Sequence, residues 1–143
     1  MTLPPPRHAT AVALHSRAVL LVGPSGSGKS DLALRLIDRG AALIADDRVV
    51  VTRAGALVVA TSPPTIAGLL EVRGVGIVRR PCVAYVPIAL VVDLAAAPER
   101  LPTPATREVA GVAIPLIALA AFEASAALKV EAALIALGTA LQD

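Results

Sequence analysis

Residues Gly23-Pro24-Ser25-Gly26-Ser27-Gly28-Lys29-Ser30 satisfy the pattern G-x-x-x-x-G-K-S in full, with a further glycine at position 26. Each part has a chemical reason. Glycines 23, 26 and 28 let the backbone fold into a concave nest whose N–H groups face phosphate oxygens, at a helix N-terminus whose dipole also favours anions. Lys29 supplies a point charge to the outer phosphates, and Ser30 a small hydroxyl able to ligate a magnesium ion that bridges them. The chemistry implied is binding of a nucleoside triphosphate with Mg2+. The motif alone does not choose between kinases, ATPases and GTPases, but the chain has no Asn-Lys-x-Asp guanine signature, which favours ATP.

A second feature follows the loop. The apolar run Leu43-Ile44-Ala45 ends in Asp46-Asp47. Adjacent side chains of a strand alternate faces, so the two carboxylates can have two roles: one to hold magnesium or its waters, the other to take the proton of an attacking hydroxyl. A third acid, Asp93, ends Leu90-Val91-Val92 and offers an alternative magnesium carboxylate of the Walker B kind, as in a P-loop small-metabolite kinase. Against that alternative, there is no arginine-rich lid segment. A further alternative is a regulatory module that senses ATP without transferring phosphate.

These residues need elements to hold them. His8 to Leu14 and Ala18 to Val22 read as strands of a hairpin leading into the glycines. Leu32, Ala33, Leu36 and Ile37 recur at helical spacing between Lys29 and Arg39, and Gly40 follows as a helix stop. Leu43 to Ala45 is a short buried strand, and Val49 to Thr52 with Leu57 to Ala60 form another hairpin. Pro63-Pro64 breaks the chain before Ile66 to Leu70; Glu71 to Gly76 then reads as an element end passing into a flexible loop. Cys82 to Asp93 is a strand region kinked or divided at Pro87, Pro98 to Pro104 a loop, Val109 to Leu116 a last strand, and Ala118 to Leu137 a C-terminal helix. The fold class is therefore α/β.

Length and composition narrow the function. The 143 residues suit one domain: residues 1–7 as an N-terminal tail and 8–143 as a single catalytic unit. Hydrophobic residues make up 56% with one Phe, one Tyr and no Trp, so the core is built from Ala, Val, Leu and Ile. The net charge of +2 and scattered arginines do not form a nucleic-acid footprint. Val109 to Phe122, the longest apolar stretch, falls short of the ~20 residues a membrane helix needs. The N-terminal prolines do not form a secretory signal. Cys82 is alone, which excludes an internal disulfide, points to the reducing cytoplasm, and reads as a small buried hydrophobe.

In order and spacing the motifs resemble HPr kinase/phosphorylase: a histidine opening the first hairpin (His8), the glycine loop Gly23 to Ser30, Ala45-Asp46-Asp47, and the signature segment Leu70-Glu71-Val72-Arg73-Gly74-Val75-Gly76-Ile77. The resemblance covers most of the chain from His8 and becomes faint after Arg100. It implies a strongly twisted mixed sheet akin to the phosphoenolpyruvate-carboxykinase-like nucleotide domain, with the loop helix packed on it. It further implies Mg2+- and ATP-dependent phosphorylation of a serine on an HPr-type phosphocarrier protein of a phosphotransferase system. Asp47 would be the acid/base group assisted by His8, Lys29 and Arg100 the phosphate contacts, Ser30, Glu71 and Asp46 the magnesium ligands, and Glu71 to Ile77 the loop for phosphoryl transfer. The family forms hexamers, which leaves homo-oligomerisation open for this shorter chain.

The chain also departs from the family. Without counterparts here to the family's additional N-terminal domain and longer C-terminal helices, the expectation is a short stand-alone catalytic domain. Where the family carries a Pro-Val-Lys-x-Gly-Arg segment tied to dephosphorylation, the sequence reads Pro115-Leu116-Ile117-Ala118-Leu119-Ala120 without either basic residue. A kinase with weak or no phosphorylase activity is the expectation.

Overall fold

The computed structural model describes residues 4–140. In chain order its elements are β1 (Arg7–His8), β2 (Thr10–Leu14), β3 (Arg17–Val22), α1 (Lys29–Asp38), β4 (Ala42–Ala45), β5 (Arg48–Ala54) and β6 (Leu57–Thr61). After a short 3-10 turn at Pro64–Ile66 come β7 (Leu69–Val72), β8 (Gly76–Arg79), β9 (Val86–Asp93), β10 (Ala105–Val109), β11 (Val112–Ala118) and α2 (Ala126–Leu137). Of the N-terminal tail, residues 1–3 lie outside the described residues; Arg7, assigned to that tail from sequence, pairs with Val49 in the sheet.

The main sheet runs β1-β5-β6-β9-β3-β2-β4 and is mixed: β3 and β11 lie parallel to β9, the other pairs antiparallel. β9 is the hub. One edge carries β3; the other carries β6 at Val86 and Pro87, then β11 at Val91 to Asp93. Because two strands share that edge, the sheet splits and curls around an inner apolar cluster that includes Leu20, Ile44, Val49, Val51, Ile88, Val91 and Ile114. Its opposite face packs against α1 and α2 through Val12, Val19, Leu21, Leu32, Leu36, Leu90, Val92, Val130 and Leu134. The core is aliphatic on both sides, as the composition predicts.

Hairpin turns follow their residues. His15 and Ser16 both have positive φ (51° and 63°), as do Ala110 and Gly111 (49° and 84°); such a two-residue turn matches the right-handed strand twist. The second turn splits what reads in sequence as a single strand over Val109 to Leu116 into β10 and β11. The helix expected from Ala118 begins only at Ala126: Ala118 ends β11, paired with Asp93, and residues 119–125 form a turn before α2. Pro87 does not divide β9. It lies before the β3 pairing starts at Ile88, where its missing N–H leaves no ladder bond unmade. The strand begins at Val86 rather than at Cys82, which is exposed instead of buried, its backbone bridging Leu43. Glu71 to Gly76, expected as an element end passing into a flexible loop, is the end of β7, a turn at residues 73–75 and the start of β8, which together form a hairpin.

Among the described residues no helix is long and apolar enough to cross a membrane.

Candidate active site

The glycine loop connects the end of β3, at the centre of the sheet, to the first turn of α1. Gly26 and Gly28 have φ of 84° and 97°, a region costly for any residue with a Cβ. At Gly28 space is a second reason: an added Cβ would lie 2.7 Å from Ala121 Cβ and 3.0 Å from Phe122 Cζ. Lys29 is buried, its ammonium donating to the carbonyls of Gly23 at 2.7 Å and Pro24 at 3.1 Å, so the cation sits within the curve of the loop.

Two register irregularities decide which acid meets this loop. Ala11 pairs with Ala45, but Val12 pairs with Leu43, leaving Ile44 as an extra residue in β4. Ile44 and Ala45 therefore both face the inner cluster, and the next residue, Asp46, swings to the α1 side. There its Oδ1 accepts from the Ser30 hydroxyl at 2.6 Å and the Thr10 hydroxyl at 3.0 Å, and its Oδ2 accepts from the Glu71 backbone N–H at 2.9 Å. In β9 the pairs Ala18 with Ile88 and Val19 with Leu90 skip Ala89, so Ala89 and Leu90 both face the helices. That shift turns Asp93 to the inner side of the sheet, where it accepts from Arg107 at 3.0 Å and from the amides of Ala95 and Ala96. Burial acts to raise the Asp93 carboxyl, but the Ala95 amide, the Arg107 guanidinium and the Ala96 amide outweigh it and hold the group below its ordinary value.

Asp47 takes the left-handed conformation, φ 68°, which Asp tolerates better than most residues. Its N–H donates to Thr10 Oγ1 at 3.1 Å, so one hydroxyl ties both acids to β2. The Asp47 side chain stands exposed in the cleft and its Oδ1 lies 2.8 Å from His8 Nε2.

The cleft has a volume of about 300 Å³. It is lined by Ser25, Gly26, Gly28, Lys29 and Ser30 of the glycine loop and helix start, by Asp31 and Leu34 of α1, by Asp47, by the β7–β8 hairpin residues Glu71, Val72 and Arg73, and by Phe122, which meets the loop at Gly28. Of the candidates read from sequence, the structure thus gathers Lys29, Ser30, Asp47 and Glu71 around one cavity, with Asp46 beneath and His8 behind Asp47. Gly23, Pro24 and Ser27 complete the loop; Val75, Gly76 and Ile77 lie exposed on the hairpin beyond the cleft. Arg100 does not join them. It lies on the exposed loop after β9, and the cationic hairpin residue lining the cleft is Arg73, named in sequence only as part of the signature segment. Asp31, Leu34 and Phe122 are the lining residues that sequence reasoning missed; for Phe122 its being the one phenylalanine was the signal.

Among the described residues no group of His, Cys, Asp and Glu is clustered to hold a metal ion on its own. Mg2+ commonly takes few protein carboxylates and completes its shell with phosphate and water, and Ser30, Asp46 and Glu71 are the oxygen donors that suit it here.

A curled mixed sheet with a glycine-rich loop at the head of its central helix defines a mixed α/β domain. Residues 4–135 match the family model described as HPr Serine kinase C-terminal domain, and the chain belongs to that family. It is similar to HPr kinase/phosphorylase of Clostridium acetobutylicum (43% identical over 74 residues, 52% of this chain and 24% of that protein). It is also similar to that of Enterococcus faecalis (49% over 72 residues, 50% and 23%). The match spans about a quarter of the length of these curated relatives. The solved structure of the Hpr(Ser) kinase/phosphatase from Coxiella burnetii superposes with a TM-score of 0.76 at 25% identity, covering 89% of this chain and 91% of that one.

Proposed function

We propose that this domain transfers the γ-phosphoryl group of ATP to a serine hydroxyl of an HPr-type phosphocarrier protein in the cytoplasm. The observation that carries the reading is the meeting of Asp47, Lys29, Ser30 and Glu71 on one cleft lined by the glycine loop. The relatives are named as kinases that act on HPr, and the family is that of their C-terminal domain.

In this reading the loop amides and Lys29 hold the phosphates, since a loose phosphoryl-transfer transition state asks mainly for positioning and charge stabilisation. Ser30, Asp46 and Glu71 would hold Mg2+, which when bound neutralises charge on the phosphate oxygens. Asp47, steadied by His8, orients the serine hydroxyl and accepts its proton as the new O–P bond forms and the bond to the β–γ bridging oxygen breaks, releasing ADP. Arg73 supplies cationic charge at the cleft wall. The segment Pro115 to Ala120, mostly within β11, offers no cation for inorganic phosphate, so phosphorolysis is weak or absent.

Labelled-phosphate transfer to a purified HPr-type carrier tests the kinase. Ready phosphate-dependent release of pyrophosphate from phosphoserine-HPr would contradict the weak reverse reaction. The metabolite-kinase alternative gains no support: its magnesium acid, Asp93, is bound to Arg107 and lies outside the cleft.

A further inference from the structure

Phe122, the chain's one phenylalanine, is 66% exposed, yet it is not held loosely. The carbonyls on either side of it, those of Ala121 and Glu123, both accept hydrogen bonds from the Arg35 guanidinium. Arg35 is itself fixed by Asp31, one helical turn earlier on α1. The turn between β11 and α2 is thus clamped onto the first turns of α1, with the ring against Gly28 at the cleft wall. Exposing an aromatic ring forgoes the burial that normally holds one, and a ring carried on backbone fixed beside a phosphate loop offers a ligand surface.

The two faces of α1 give that surface a direction. Ser30 and Leu34 share one face, the one to which Asp46 bonds. Asp31 and Arg35 share the neighbouring face, the one to which the Phe122 turn is clamped. A triphosphate whose reacting end points to Asp47 therefore directs its nucleoside end toward the Asp31 side. We propose that the Phe122 ring is the platform on which the nucleoside of the bound nucleotide stacks, with Arg35 as its positioning residue. This rests on the nucleotide-binding reading above. Stacking addresses the π-face that every base has, so the platform adds affinity without choosing strongly between adenine and guanine.

The test is calorimetric titration of the whole chain with ATP and, separately, with inorganic tripolyphosphate, each with Mg2+. Phe122→Ala should weaken ATP about tenfold or more while leaving tripolyphosphate within about twofold, and Phe122→Tyr should restore ATP affinity. Arg35→Ala should reproduce the same split between the two ligands. ATP affinity unchanged in Phe122→Ala, or both ligands weakened alike, overturns the platform. A wild-type chain that binds neither ligand overturns the nucleotide reading and the platform with it, whereas ATP binding without transfer to a carrier counts against the kinase alone.

Discussion

The Ser30 hydroxyl donates to the Asp46 carboxylate at 2.6 Å, joining the first turn of α1 to the end of β4. That bond depends on Ile44, the extra residue that rotates Asp46 to the α1 side. The same device in β9, at Ala89, rotates Asp93 away. Two one-residue irregularities thus select the acid that serves the loop.

Asp46 is buried and accepts from Thr10, Ser30 and the Glu71 amide. Asp46→Ala leaves these donors unpaired and should cost ~1–3 kcal/mol of stability. In Asp46→Asn the side-chain amide can still meet these groups but cannot accept from all three donors, so the loss of stability should be smaller than in Asp46→Ala. Its Mg2+-dependent gain in nucleotide affinity should nevertheless fall at least about tenfold, one decade per ~1.4 kcal/mol. Thermal melts with nucleotide titrations at varied Mg2+ check both, and full Mg2+ dependence in the Asn variant would remove Asp46 from the metal site.

Gly26 and Gly28 need similar backbone angles but differ in surroundings: a Cβ at Gly26 meets nothing within 4 Å, whereas one at Gly28 strikes Ala121 and Phe122. Gly26→Ala should therefore cost about 1–2 kcal/mol of conformational strain, and Gly28→Ala clearly more. Urea denaturation of the two variants measures the difference; equal losses would contradict the close approach of the Phe122 turn.

Arg107 and Asp93 give a pH signature. Because the folded Asp93 carboxyl is held below its ordinary value, its pairing stabilises the fold above the usual aspartate range near ~3.9 and is lost as pH falls through the lower folded value. Arg107 is 41% exposed, so Arg107→Ala should cost only ~0.5 kcal/mol near neutrality. That gap should close in acid. A gap independent of pH would mean that Arg107 acts through packing.

Arg73 lines the cleft and Arg100 does not. Arg73→Ala should lower kcat/KM for transfer by ~10²-fold, the scale of removing one charge-stabilising group, while Arg100→Ala should change it severalfold at most. Steady-state kinetics of the two variants check this, and the reverse ranking would restore Arg100 to the role its sequence context suggests.

What could be read from sequence was local. The glycine loop, α1 and the first hairpin follow from spacing and turn residues that sit together in the chain. The geometry that brings Asp46 rather than Asp93 to Ser30 was not local: it depends on cross-strand register at Ile44 and Ala89, which spacing along the chain does not show. The C-terminal region misled for a related reason, since Ala118 ends β11 by pairing with Asp93 and the next seven residues turn before α2 starts. The β7–β8 hairpin was hidden by its glycines at 74 and 76, which read as loop but supply the positive φ of its turn and strand start.

The most direct measurement is transfer from γ-labelled ATP with Mg2+ to a purified HPr-type carrier by wild type, Asp47→Ala and Asp93→Ala. Labelled phosphoserine is expected with wild type and with Asp93→Ala, and loss by ~10²-fold or more with Asp47→Ala. Transfer that survives in Asp47→Ala and vanishes in Asp93→Ala would contradict the role of Asp47.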